Sequence, residues 1–232
     1  SKDLPDTKEE FELNLDYLID EVKNKRNLIW IYIDIQRSDF IPIATKRGFF
    51  FHSCDEGYIL VVKRIKENAI IPTAANHTLG VGAVVINDKN EILVIKERIS
   101  NLGYKLPGGH IDNGEMISTA VSREVLEETG IIVEFESIIS LGHFYPHQFH
   151  KSNLYVICTA NPKTFEINIQ DIEEILDAKW VNINTYLSDD SVLDYSKAII
   201  IAALEEKGFE RINQEVLAHI KKDFELFFPI KK

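Results

Sequence analysis

The chain has 232 residues, 45% of them hydrophobic, and a formal net charge of −11 at pH 7. That length supports one large domain or two small ones around a substantial core. The acidic balance disfavours a binder of duplex nucleic acid, which needs a positive face, and no stretch reaches the roughly 20 apolar residues of a membrane span.

The opening Ser1-Lys2-Asp3-Leu4-Pro5-Asp6 is too polar for a secretory leader. Thr7-Lys8-Glu9-Glu10 then reads as a capping box, and Phe11, Leu15, Leu18, Ile19 and Val22 recur at helical spacing, which predicts an amphipathic helix ending near Asn24. Leu28 to Ile35 reads as a strand. Ser38 reads as the cap of a short helix through Ala44 that stops at Gly48. Phe49 to His52 and Tyr58 to Ile65 read as strands around the turn Asp55-Glu56-Gly57. Residues 1–75 are therefore expected to form a small α+β domain, with Glu67 to Thr78 as a linker into a second domain, 76–232.

In the second domain, Gly80 to Ile86 and Glu91 to Lys96 read as a hairpin through Asn87-Asp88-Lys89-Asn90. A run free of Pro and internal Gly links Asn113-Gly114 to Gly130 and predicts a helix. Ile131 to Leu141, Asn153 to Ala160 and Ala178 to Val181 read as strands. C-terminal helices are expected within 186–232, one capped by Ser188 or Asp189 and stopped by Gly208, a second from about Asn213 toward Phe227. Cys54 and Cys158 lie far apart beside strand-like runs, which favours packed thiols over a disulfide or metal pair and suits a reducing, cytoplasmic setting.

The chemistry concentrates on the central helix. Glu124, Glu127 and Glu128 stand at i, i+3 and i+4 on one face, where like charges cost an isolated helix roughly 0.2–0.5 kcal/mol per pair. A hard divalent cation offsets that repulsion. Arg123 reaches Glu127 at i+4 and can hold it in one rotamer. Upstream, Gly108-Gly109 lets the backbone approach a metal or phosphate oxygen and leaves the Gly109 carbonyl free as a ligand. His143, His147 and His150 are irregularly spaced around Pro146, which argues for a solvated or substrate-touching loop over a metal site; its aromatics can stack on a base. His52 beside Cys54 supplies two ligands, too few to close a shell.

Gly109, five residues, Glu115, seven residues, then Arg-Glu-aliphatic-x-Glu-Glu-x-Gly-aliphatic at 123–131 resembles the Nudix box, with every fixed position filled. Glu174-Ile175-x-x-Ala178-x-Trp180 resembles the segment that follows the box in many Nudix hydrolases. Trp30, Ile41-Pro42-x-Ala44, Gly48-Phe49-x-Phe51-His52 and Gly80-Val81-Gly82-Ala83-Val84-Val85 resemble a narrower group. That group holds the plant ADP-ribose/NADH pyrophosphatases and the animal protein encoded antisense to basic fibroblast growth factor. Tyr104 departs from the Trp usual before the Lys-Leu-Pro-Gly-Gly run.

The resemblance covers most of 28–185 and implies an α/β/α sandwich of Nudix fold preceded by a small α+β domain like part of an acetyltransferase. It implies Mg²⁺ or Mn²⁺ on Glu124, Glu127, Glu128 and the Gly109 carbonyl, with Glu115 joining or standing behind them and Arg123 orienting carboxylates. The general base is then Glu127 or, by its place in the later segment, Glu174. The implied reaction is hydrolysis of a nucleoside diphosphate linked to another moiety, ADP-ribose or NADH first, with AMP as one product. Dinucleoside polyphosphates, coenzyme A derivatives, oxidised nucleotides and RNA caps are alternative substrates, and a ligand-sensing protein without activity is the alternative of another class. Arg98, Lys105 and Phe149 are candidate substrate contacts by proximity along the chain. Trp30, Phe49, Phe51 and the C-terminal aliphatic stripe fit either ordinary core or a homodimer interface.

Overall fold

The protein is described here by a computed structural model covering residues 4–100, 103–212 and 223–230. The chain divides into two compact units, Ser1–Asn76 and His77–Lys232.

In the first unit, α1 (Lys8–Val22) starts where the Thr7 hydroxyl accepts the Glu10 N–H at 3.2 Å, and it buries Phe11 and Leu15. Three antiparallel strands, β1 (Leu28–Asp34), β2 (Phe50–Cys54) and β3 (Tyr58–Arg64), form a sheet in the order β1-β3-β2. Alternate β1 residues Ile29, Ile31 and Ile33 pack with Phe11, Leu15 and Phe49 on one core, as period-two strands require. The short helix α2 (Ile41–Lys46) begins two residues later than the Ser38 cap would place it. The Asp34 carboxylate takes the Gln36 N–H at 2.9 Å and opens a 3₁₀ turn instead, and Phe40 at its end stacks on Phe11 at 4.3 Å. Phe49 is core; Phe51 is largely exposed, and so is Cys54, against the expectation of two packed thiols.

The second unit contains β4 (His77–Val85), β5 (Glu91–Glu97), α3 (Ile117–Thr129), β6 (Val133–Phe144), β7 (Ser152–Pro162) and β8 (Ile175–Asn182). After them come α4 (Ile183–Ser188), α5 (Asp194–Glu205), β9 (Phe209–Arg211) and β10 (Phe227–Pro229). One sheet runs β10-β9-β6-β7-β4, with β4 and β7 parallel, and β5 pairs antiparallel with β8. Alternation along β4 splits the core. Val81, Ala83 and Val85 pack on Ala120, Val121 and Val125 of α3, while Val84 joins Ile183, Tyr186, Ile199 and Ile200 of α4 and α5. Helices thus cover both faces of the strands, an α/β/α sandwich.

The C-terminal part differs from the two helices expected. Asp189 accepts the Ser191 N–H and hydroxyl, closing a turn, so the first helix starts only at Asp194. Gly208 turns the chain at φ +71° into β9, which extends the sheet beside β6. Of the second expected helix, residues 213–222 lie outside the described residues, and Phe227, at its foreseen end, is strand paired with Arg211. Among the described residues no helix is long and apolar enough to cross a membrane.

Candidate active site

Two turns fix the acidic helix at its ends. Before it, the Glu115 N–H reaches the Asp112 carbonyl at 3.0 Å and the Glu115 carboxylate accepts the Asp112 N–H at 3.0 Å. After it, Gly130 sits at φ +76°, and a Cβ there would lie 2.3 Å from the Asn168 carbonyl oxygen. Glycine is needed both for the backbone angle and for the approach. The 168–171 segment lies along this helix end: Asn168 N–H donates to Thr129 O at 2.8 Å, and Gln170 and Asp171 donate to Glu127 O at 3.0 and 2.9 Å. That carries the loop of Glu173 and Glu174 toward the helix.

Arg123 gathers the carboxylates. Its guanidinium donates to both Glu115 oxygens at 2.9 Å, to Glu124 at 2.9 Å, to Glu127 at 3.1 Å and to the His110 carbonyl at 2.9 Å. The hydrogen bonds from Arg123 hold Glu115 below the usual carboxylate range, and its partners hold Arg123 well above its own. Glu128 points the other way, into the fold. It is 4% exposed and accepts the Gly108 N–H at 2.7 Å. Burial pushes its carboxyl up to about 8, against the pull of Gly108 and Lys105 and with a further push from Glu124 and Glu174. Burial also raises Glu124, partly countered by Arg123 and reinforced by Glu127 and Glu174.

The segment before α3 runs tightly beside β4. Gly108 has φ +145°, and a Cβ on it would sit 2.2 Å from the Val81 carbonyl oxygen; one on Gly109 would sit 2.7 Å from both Glu124 oxygens. The Gly109 carbonyl accepts the Val81 N–H at 2.9 Å. It is not free, as the sequence reading had it, and retains one lone pair. These glycines line a cleft of about 300 Å³ together with Gly80, Lys105, Tyr155 and Glu174, with His110, His147 and Gln148 also on its wall.

Of the residues singled out in the sequence, Gly109, Lys105 and Glu174 line the cleft, and Glu124 and Glu128 touch its glycine wall. Lys105 is ion-paired with Glu97, another lining residue. Glu115, Arg123 and Glu127 form the adjoining shoulder. Two candidates stand elsewhere. Arg98 donates from Nε to the Ile172 carbonyl at 2.7 Å and from its backbone to Glu174 O at 2.8 Å, so it staples the Glu174 loop. Phe149 is 88% exposed, in the left-handed region at φ +54°; its neighbours His147 and Gln148 are the ones that reach the cleft. Tyr155 was missed. It lies opposite Gly80 across the parallel β4–β7 pair, and a Cβ on Gly80 would sit 2.7 Å from its ring. The Gly80-x-Gly82 spacing carries that signal, but its partner depends on a register no local pattern gives.

Among the described residues, no three or more His, Cys, Asp or Glu side chains form a group that could hold a metal ion as arranged here. Arg123 takes both oxygens of Glu115 and one each of Glu124 and Glu127, and the Gly108 N–H takes one of Glu128. In kind, the donors fit a hard divalent ion: all are oxygens, and burial disfavours the charged forms of Glu124 and Glu128, a penalty that a bound cation would offset.

Residues 76–200 match the NUDIX domain model, and residues 1–65 match a second model described as a Nudix hydrolase domain. A Xenopus laevis protein named nucleoside diphosphate-linked moiety X motif 6 is 34% identical over 184 residues, covering 76% of this chain and 84% of that protein. Nudix hydrolase 8 of Arabidopsis thaliana is 36% identical over 166 residues, covering 68% of this chain and 44% of that protein. The chain spans 44%, 62% and 58% of the lengths of Nudix hydrolases 8, 2 and 7 of that plant. A solved NUDIX hydrolase from Nitrosomonas europaea shares the fold, with a TM-score of 0.50 and 24% identity over 62% of this chain and 97% of its own. The family model spans more than half of the chain, including the acidic helix and its glycine wall, and the chain therefore belongs to the Nudix hydrolase family.

Proposed function

We propose that the chain hydrolyses the pyrophosphate bond of a nucleoside diphosphate linked to another moiety, with ADP-ribose or NADH as first substrates, in the cleft beside α3. The observation that carries this reading is the pair of desolvated carboxylates, Glu124 and Glu128, pressed against the Gly108-Gly109 backbone. Burying such charge is costly unless a cation is to share it. The names of the relatives, nucleoside diphosphate-linked moiety X motif 6, support the substrate class, and the resemblance to the plant pyrophosphatases supports ADP-ribose and NADH within it.

A diphosphate is itself an anion, and bare carboxylates repel it. Glu124, Glu127 and Glu128, with the remaining lone pair of the Gly109 carbonyl, would hold Mg²⁺ or Mn²⁺. When bound, the ion neutralises phosphate oxygens and lowers the pKa of water. The protein's own residues do the rest. Arg123 keeps Glu115, Glu124 and Glu127 in one orientation. Lys105, which lines the same cleft as Glu174, offers a positive charge to the phosphates when it turns from its partner Glu97. Glu174 takes the proton of the water that attacks phosphorus; the new P–O bond forms as the bridging oxygen leaves with the other phosphate. From ADP-ribose this yields AMP and ribose 5-phosphate, from NADH AMP and the reduced mononucleotide. The free thiols suit a reducing compartment such as the cytoplasm.

The test is chromatographic detection of AMP from ADP-ribose, NADH and dinucleoside polyphosphates, and of adenosine 3′,5′-bisphosphate from coenzyme A, with Mg²⁺ or Mn²⁺. Wild-type protein should release AMP, and Glu127→Gln should lose turnover with its fold intact. Near wild-type rates in that variant would remove Glu127 from the ion-binding set.

A further inference from the structure

We propose that Glu225 is a positioning residue for the carboxylate helix: it supplies, from the far end of the chain, the N-terminal cap that α3 lacks. A helix begins with unpaired N–H groups and a partial positive charge, usually met by an Asp, Ser or Thr at the cap or by acidic residues in the first turn. α3 has neither. Its cap position is Met116, which makes no side-chain hydrogen bond, and its first turn contains no acidic residue.

Glu225 meets the need instead. Its carboxylate accepts the Ser118 N–H at 3.4 Å on each oxygen and the Ser118 hydroxyl at 2.5 Å. Its side chain is 6% exposed. Arg211 of β9 closes the cluster, donating to the Ser118 hydroxyl oxygen at 3.0 Å and to Glu225 at 3.3 Å. The segment carrying Glu225 is itself anchored: Ile212 N–H donates to Leu226 O at 2.9 Å, and Phe227 packs against Phe135 with ring centroids 5.6 Å apart.

The cap acts on the site through the chain entering the helix. Glu115 lies two residues before the first helical residue and takes two of the Arg123 hydrogen bonds. If the first turn opens, the backbone holding Glu115 shifts, and Arg123 loses the partner that fixes it beside Glu124 and Glu127. Glu225 thus reaches the chemistry through Ser118, Glu115 and Arg123 without touching substrate.

The activity part of the test rests on the proposed hydrolase reading; the exchange part does not. Amide hydrogen exchange over residues 115–120 is measured on metal-free wild type, Glu225→Ala, Glu225→Gln and the double variant Met116→Ser/Glu225→Ala, and kcat and KM for AMP release are measured with saturating Mn²⁺. Glu225→Ala should raise exchange and lower kcat by roughly fivefold each, as loss of a helix cap implies, with KM within about twofold. Glu225→Gln, which keeps an acceptor for Ser118, should fall between. Met116→Ser places a local cap on the helix and should restore both readouts although Glu225 is gone. Unchanged exchange in Glu225→Ala would overturn the cap. Exchange restored by Met116→Ser with kcat still low would overturn the positioning role. Should wild type release no AMP from any diphosphate, the hydrolase reading fails, while the exchange data still decide whether Glu225 caps the helix.

Discussion

The Glu128→Gln substitution should turn the buried carboxyl into a measurable dependence of stability on pH. Glu128 is nearly inaccessible, and burial raises its carboxyl to about 8 from an ordinary value of 4.5. A group raised in the folded state contributes full stability below its unfolded pKa and loses it as pH rises through the folded one. The window is therefore pH 4.5 to about 8, and at 1.36 kcal/mol per pH unit the loss is on the order of 5 kcal/mol. Glutamine keeps an oxygen for the Gly108 N–H but cannot ionise. Urea unfolding of chelator-treated protein, followed by Trp180 fluorescence in a Trp30→Phe background, reports on the second unit. The parent should lose several kcal/mol relative to Glu128→Gln between pH 5 and 8.5, and Mn²⁺ should abolish the difference. Parallel curves for the two proteins would refute the claim that Glu128 is buried at the cost of its charge.

Arg123→Ala leaves Glu115 and Glu124 without their cation and should destabilise the second unit by about 2–4 kcal/mol in urea, whereas Arg123→Lys should recover less than half, lacking the planar fork that reaches three carboxylates. Glu174→Gln should lower kcat by roughly a hundredfold or more with KM little changed, as removal of a general base does; equal effects on KM would assign it to substrate binding instead.

What the sequence disclosed and what it hid divide along contact range. Glu124, Glu127 and Glu128 share a face because helical spacing dictates it, and the glycine at 130 announces the stop that the left-handed angle requires. The pairing of Arg123 with Glu127 is likewise local. Within that face, however, spacing could not say that Glu128 turns inward to Gly108 while Glu124 and Glu127 meet Arg123, since β4 and the 107–111 segment decide it. Arg98 and Phe149 were chosen by nearness along the chain, and backbone carbonyls and a left-handed loop took them elsewhere. Tyr155 and Glu225 were invisible for the converse reason: their partners lie 75 and 107 residues away at Gly80 and Ser118. Residues 209–211 and 227–229 escaped notice as strands because a three-residue pairing leaves almost no periodicity to read.

The central claim is that the acidic face of α3 collects divalent ions for a pyrophosphate. Titration of Mn²⁺ by electron paramagnetic resonance, with and without a non-hydrolysable ADP-ribose analogue, tests it without relying on turnover. The account predicts saturable binding that tightens with the analogue, weakens at least about tenfold in Glu124→Gln and in Glu127→Gln, and persists in Glu173→Gln. Equal Mn²⁺ affinity in wild type and in the two helix variants would contradict it.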